Sequence, residues 1–330
     1  MKELLKKLTE TAAPSGHEAN IRNLIRKEIE PYVDEISVDV MGNLIARKGK
    51  KQKDGHRILI AAHMDEIGLM ASHISEKGFV YVASIGGVNP LTCVGSRVVF
   101  LNGTVGVISL ETEKIDKVPT INQLFIDVGA TSADDCPVNV GDVCVFDRPF
   151  IDMRKRMVAK AMDDRVGCLL AIETLKQIKE SPNELVFVFT TQEEIGARGA
   201  TTSAYGVDPE IGIALDVTLS ADTPHCTPVN PVLGEGPCIK VRDSSLIAHP
   251  AVIEAMKKAA ASRKIKVQME VLRFAGTDAG AIHTVRSGVP SGCLSIACRY
   301  VHSPSEMIDT SDVENAIVML KVLLENPIAL

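Results

Sequence analysis

The sequence predicts an α/β protein, a mixed central sheet flanked by helices, with a small β-barrel-like domain inserted into it. Three observations carry this reading. Four apolar runs of strand length (residues 57–62, 185–189, 211–215 and 293–298) each lead into a histidine or a carboxylate, and runs this apolar are strands buried on both faces. Segments with apolar residues at helical spacing precede, separate and follow these runs. From about residue 70 to about residue 155 the pattern changes to short alternating strands with close-set glycines, the mark of a barrel or sandwich. Residues 1–69 and 156–330 are therefore expected to form two parts of one domain, and residues 70–155 a second domain inserted between them.

In chain order, residues 3–12 read as a short helix. Ala13-Pro14-Ser15-Gly16 breaks it, and Ser15, three residues before Glu18, predicts a capping box for a second helix carrying Ile21, Leu24, Ile25 and Ile29 and ending at Pro31. Residues 36–40 and 44–46 flank Met41-Gly42-Asn43 as strand, turn and strand. In the insertion, strands are expected at 79–82, 97–100, 104–108 and 142–146, with no long helix. The helical period returns at Ala161. Asp163-Asp164-Arg165 opens a helix carrying Val166, Leu169, Leu170, Ile172 and Leu175, with its acidic residues at the positive end of the helix dipole. A Pro/Gly-rich connection follows at 223–237, then a helix at about 250–263, a strand at 266–270 and a loop at 276–281 that enters another helix. Ser311 is expected to cap the final helix, which runs to about Leu324.

Composition narrows the function. The 330-residue chain is 45% hydrophobic and 24% charged with a net charge of −6, so it lacks the dense Lys/Arg stripe that nucleic-acid binding needs. The basic cluster Arg47, Lys48, Lys50, Lys51 and Lys53 is short and reads as a solvated turn. No run is long enough to span a membrane, and the N-terminus is an amphipathic helix start without a signal peptide's apolar core, so the expected setting is the cytoplasm. The eight cysteines contain no Cys-x-x-Cys pair, and they read as reduced, small hydrophobes rather than metal ligands.

The strand ends carry the chemistry. In an open α/β sheet, ligands collect at the carboxyl edge of the strands. Five candidate metal ligands fall there or at the helix start: His63, Asp163, Glu194, Asp216 and His302. Imidazoles and carboxylates drawn from separate elements suit a borderline cation, with zinc the default. If one carboxylate bridges, five residues give each of two metals three protein ligands and leave room for a shared water. His73, His249 and His283 lie away from strand ends and read as structural or surface residues. Asp164 reads as a helix N-terminal charge, and Asp278 as either a turn-stabilising or a substrate-facing residue.

Six motifs in order bear a family resemblance: His63-Met64-Asp65-Glu66-Ile67-Gly68, Ala161-Met162-Asp163-Asp164-Arg165, Glu193-Glu194-Ile195-Gly196, Leu215-Asp216-Val217-Thr218, Gly276-Thr277-Asp278-Ala279 and Arg299-Tyr300-Val301-His302-Ser303-Pro304. The chain resembles, over essentially its full length, the tetrahedral aminopeptidases, which are zinc- or cobalt-dependent metallopeptidases, some of them labelled glutamyl aminopeptidase or cellulase M. The resemblance implies that His63, Asp163 and Asp216 hold one divalent metal ion and Asp163, Glu194 and His302 the other, with Asp163 bridging. It also implies that Asp65 orients His63 and that Glu193 is the general base. Peptides would be the substrates. Subunits would pair through the insertion, and six dimers would close into a hollow dodecamer. Ala275 stands where the family often has glycine, and residues 219–226 are atypical, which bears on substrate preference. Two rival hydrolases follow from the same residues. A dinuclear carboxypeptidase or deacylase would need a cation for the substrate carboxylate, with Arg299 and Arg198 as candidates. A glycoside hydrolase would need two carboxylates flanking a sugar bond, and this chain has no tryptophan to line a sugar cleft.

Overall fold

The computed structural model describes residues 1–111, 117–224, 226 and 228–330. The insertion and the 223–237 connection thus include residues 112–116, 225 and 227, which lie outside the described residues. The elements are α1 (Lys2–Glu10), α2 (Ala19–Ile29), β1 (Glu35–Val38), β2 (Leu44–Lys48), β3 (Arg57–His63), β4 (Gly68–Ile74), β5 (Val80–Ile85), α3 (Pro90–Cys93), β6 (Arg97–Phe100), β7 (Val105–Leu110), β8 (Leu124–Asp127) and β9 (Val143–Phe146). They continue as β10 (Ile151–Met153), β11 (Arg156–Ala159), α4 (Met162–Gln177), β12 (Glu184–Thr190), α5 (Arg198–Val207), β13 (Ile211–Leu219), β14 (Cys238–Arg242), α6 (Pro250–Ser262), β15 (Gln268–Val271), α7 (Asp278–Ile282), β16 (Ser291–Arg299), β17 (Glu306–Asp309) and α8 (Thr310–Leu324).

Two sheets result. The larger is mixed, in the order β1-β2-β12-β3-β13-β16-β17-β11-β10, with β14 and β15 branching from β16. Strands β4, β5, β8, β7, β6 and β9 close into a barrel. The α/β class and the inserted barrel are as the sequence predicts. The barrel strands begin at Gly68 and end at Phe146, and β10 and β11 pair into the large sheet.

The four apolar runs become β12, β3, β13 and β16, which are adjacent and mutually parallel. Their alternation explains why they read as continuous apolar runs. Ile58, Ile60, Leu185, Phe187 and Phe189 face the larger core with α4 and α8, while Leu59, Ala61, Val186 and Val188 face a second core with α5 and α7. Helix α4 is buried on nearly every side, which is the place for a helix whose middle, residues 166–172, is apolar all round. Each of its Leu, Ile and Val side chains contributes roughly 1.5–3 kcal/mol by leaving water.

Two predicted caps are corrected. Ser15 does not cap α2; its hydroxyl donates to Asp65 Oδ2 at 2.6 Å, and Glu18 instead accepts from the amides of Gly16 and Gln192 at 2.7 and 3.1 Å. Helix α8 is capped by Asp309, which accepts from the Ser311 amide at 2.7 Å, so Ser311 lies inside the helix. At α8 a carboxylate, the stronger acceptor, takes the position that the sequence pattern assigns to a serine hydroxyl, whereas no side chain caps α2.

Candidate metal centre

The site forms where the sheet parts. Strand β3 pairs with β12 as far as His63 opposite Thr190, but with β13 only as far as Ala61 opposite Ala214. Beyond that point β13 stays with β16 to Leu219, leaving a crevice at the carboxyl edge between β3 and β13. Asp216 therefore lies within β13 rather than at its end, on the strand that borders the crevice. The chain crosses from β12 over β3 to β13 here, the topological position at which α/β proteins bind ligands.

The structure brings the expected residues together. His63 Nε2 is 3.0 Å from Asp163 Oδ1, and His302 Nε2 is 3.4 Å from Asp163 Oδ2, so each oxygen of Asp163 faces a different imidazole. His302 Nε2 is also 3.1 Å from Glu194 Oε2. His63, Asp163 and Glu194 present donor atoms within 4.8 Å of one another, and so do His63, Asp164 and Asp216. Asp164 is fully buried. Its Oδ1 accepts from the Gly167 amide at 2.9 Å, as a residue at a helix start does, and its Oδ2 is buried without a partner among the described residues. Asp163 and Asp164 have non-helical dihedrals, with a cis peptide between them.

Asp65 and Glu306 hold this arrangement. Asp65 Oδ1 lies 3.5 Å from His63 Nδ1, and its carboxylate accepts from the amides of Glu193 and Glu194 at 3.0 and 3.2 Å. Asp65 thus sets both the His63 ring, its backbone carbonyl oxygen lying 3.2 Å from His63 Nδ1, and, through its carboxylate, the turn that presents the glutamates. Glu306, buried on β17, accepts from the Asp163 and His302 amides at 2.9 and 2.7 Å. Sequence reasoning missed it, because a single glutamate two residues after a motif carries no signal of its own. Thr190 donates to Asp278 at 2.5 Å, and Asp278 is buried behind the strand ends. His73 stacks near Tyr81, His249 accepts from the Ala251 amide and the His283 ring lies against the Ala279 carbonyl, all away from the cluster.

The electrostatics are those of an anionic cluster. Burial pushes Glu193 well above the ordinary carboxylate range; His63 opposes this, and Asp216, Asp278 and Glu194 add to it. Burial and Asp163 push Asp216 the same way. Burial, together with the charge on Asp65, brings Asp278 up to about 6. Burial would lower the His302 pKa, but Asp163 and Glu194 outweigh it and raise it to about 12. Burial likewise works against protonated His63, yet Asp163 and Asp65 hold its pKa well above the usual imidazole range. Glu194 Oε1 is buried without a partner among the described residues, as is Asp164 Oδ2. Orphaned carboxylate oxygens that converge with imidazole nitrogens fit divalent cations, whose charge relieves the repulsion.

A cavity of about 750 Å³ opens beside the cluster, with Glu193, Asp163, Asp216 and His302 on one side and Leu272, Phe274 and Thr277 among its other walls. Lys240 also lines it, with its ammonium held by Glu270, which takes a further hydrogen bond from Thr218 at 2.7 Å. Arg299 is bound through two nitrogens to Asp222, at 2.9 and 2.7 Å, and Arg198 is exposed against Gln192. Neither arginine is part of the cavity wall.

A parallel-stranded α/β core whose carboxyl edge gathers imidazoles and orphaned carboxylates beside a cleft has the form of a metal-dependent hydrolase. The chain belongs to the M42 glutamyl aminopeptidase family, whose profile matches residues 42–319. It is 44% identical to a putative aminopeptidase of Acetivibrio thermocellus, over 97% of each chain. Its fold matches an aminopeptidase from the archaeon Desulfurococcus kamchatkensis with a TM-score of 0.93 at 40% identity, covering 98% of this chain and 94% of that one. It also matches the TET1 peptidase of Pyrococcus horikoshii, described as assembling into a tetrahedron or a large octahedral shell, with a TM-score of 0.87 at 31% identity over 98% of each chain. The protein is thus a peptide-bond hydrolase of an aminopeptidase family.

Proposed function

We propose that this enzyme removes N-terminal residues from peptides using two divalent cations, zinc or cobalt. His63, Asp163 and Asp216 would hold one and Asp163, Glu194 and His302 the other. The observation that carries this reading is the placement of Asp163, with one oxygen toward each imidazole, as a bridging carboxylate must have. Two cations there would supply Lewis acidity to the scissile carbonyl and a nucleophilic water at neutral pH. Asp65 fixes the His63 ring from behind and, through the Glu193 and Glu194 amides, sends the adjacent glutamates to different tasks. Glu194 is a ligand. Glu193, on the cavity wall, accepts the proton of the attacking water and passes it to the leaving nitrogen. The cavity takes the N-terminal side chain of the substrate.

A carboxypeptidase or deacylase reading is less well supported, since Arg299 is engaged by Asp222 and Lys240 by Glu270. The domain division at residues 70–155, with the barrel as the dimer contact, is part of the same proposal. Val105 and Val107 point outward from β7, and Leu91 and Val94 are exposed beside them, giving the barrel apolar surface to bury against a second copy. Assembly to a dodecamer and a cytoplasmic setting complete the proposal; eight unpaired cysteines suit a reducing compartment. The test is a metal-supplemented hydrolysis screen on aminoacyl anilides, acyl amino acids and cellulose. Turnover of the anilides is expected, and turnover of only another substrate class would overturn the reading.

A further inference from the structure

The barrel contains none of the candidate ligands, yet one of its turns closes on them. Strand β5 ends at Ile85, and the chain turns through Gly86 and Gly87 to Val88, which is packed in the barrel core. A Cβ on Gly87 would lie 2.5 Å from His302 Nδ1 and 2.9 Å from its Cε1. A Cβ on Gly86 would lie 3.0 Å from Glu194 Oε2 and 3.1 Å from its Cβ. The two glycines differ in kind. Gly86 has φ +74°, a conformation that favours glycine whatever surrounds it, whereas the Gly87 backbone lies outside the left-handed region. At Gly87 it is the imidazole, not the backbone, that leaves no room for a side chain.

The His302 ring is thus confined from two directions. Its backbone amide is held by Glu306, and its Nε2 faces Asp163 and Glu194. The adjoining Nδ1–Cε1 edge of the ring faces Gly87 so closely that a Cβ there would meet it. A ligand imidazole needs its plane fixed as well as its distance, and contacts behind the ring do that work at metal sites.

We propose that Gly87 is a positioning residue: by lacking a side chain it admits the His302 imidazole and sets its plane, so the inserted barrel shapes the His302, Glu194 and Asp163 cluster. The inference rests on His302 being a ligand. It gives the barrel a part in the chemistry that is separate from any part in assembly, because the turn stays within its own subunit.

The test measures zinc affinity by competition with a chromophoric chelator in wild type, G87A, H302A and the double variant. G87A is expected to weaken one of the two zinc ions by roughly 10–100-fold and leave the other unchanged. The double variant is expected to bind as H302A alone does, since a methyl at residue 87 matters only while the ring is there. Wild-type affinity for both ions in G87A would overturn the proposal, and so would a G87A effect that persists in full in the H302A background. If G87A does not fold, the double variant must recover folding and match H302A in thermal midpoint; failure to do so places the clash elsewhere and overturns it too. If H302A itself keeps both ions at wild-type affinity, the ligand assignment fails and this proposal falls with it. Weakened binding in H302A beside normal binding in G87A defeats the Gly87 proposal alone.

Discussion

Glu66 follows Asp65 in sequence but serves the fold rather than the site, and its removal tests how the site is supported. Glu66 is 2% exposed and accepts from the Ala13 amide at 3.0 Å, from the Lys160 ammonium at 2.8 and 2.6 Å, and from Arg165 at 3.3 Å. Lys160 and Arg165 are buried as well, and Arg165 also donates to the Leu8 and Thr11 carbonyls. The cluster ties the end of α1, the turn after His63 and the first turn of α4 into one unit. Glu66→Gln keeps the shape and removes the charge that balances two buried cations. Breaking a buried pair in this way costs about 3–5 kcal/mol. At roughly 2–4 °C of midpoint per kcal/mol for a domain of this size, the thermal midpoint should fall by roughly 6–20 °C. Lys160→Met leaves Glu66 paired one-to-one with Arg165 and should cost less. The assay is urea and thermal unfolding of both variants at matched protein and metal concentration, because bound metal shifts apparent stability. A Glu66→Gln variant within 1 kcal/mol of wild type, or one more stable than Lys160→Met, would refute the charge-balance argument.

Three further outcomes follow. His302→Ala should lose one metal and Asp163→Ala both, by elemental analysis of purified protein, and full occupancy in Asp163→Ala would show that it does not bridge. Replacing residues 70–155 with a short linker should give monomers by light scattering, and an unchanged large assembly would rule the barrel out as the contact. Hydrogen bonds from Arg299 hold the Asp222 pKa below its ordinary value, although burial opposes them. A depressed folded-state pKa adds stability above the unfolded pKa and loses it as pH falls through the folded one. Asp222→Asn should therefore cost about 1 kcal/mol at pH 7, with the gap to wild type closing below about pH 4; a gap that stays constant to pH 2 would contradict this.

The central strands were legible because burial on both faces writes itself as an unbroken apolar run, and four of the five candidate ligands stand out because they follow those runs, Asp163 alone lying at a helix start. What the sequence hid depends on distant partners. Strands β8, β10 and β11 have four, three and four residues and take their register from neighbours, so no local pattern announces them. Ser15 and Ser311 looked like caps, but Asp65, 50 residues from Ser15, and Asp309 decide where those groups bond. Glu306 reaches Asp163 across 143 residues, and Lys240 meets Glu270 across 30, on paired strands. One further signal lies in the sequence itself. Val217, Thr218 and Leu219 continue the pattern past Asp216 and place that residue inside β13.

Glu193 separates a catalyst from a metal-binding shell. Attack on an amide needs a group that takes up the water's proton and returns it to the leaving nitrogen. Glu194 lies against His302, and Asp65 lies behind His63 with its oxygens occupied by Ser15 and by the Glu193 and Glu194 amides. Glu193 remains, and two cations beside it would offset the burial that otherwise favours its protonated form, keeping it able to accept. The decisive measurement is kcat of Glu193→Gln on the best aminoacyl anilide, with metal content determined on the same preparation. The account predicts both metals in place, intact assembly and turnover lowered by roughly 10²–10⁴-fold. Near-normal turnover with both metals bound would contradict it, and loss of metal would show that Glu193 and Glu194 have exchanged roles.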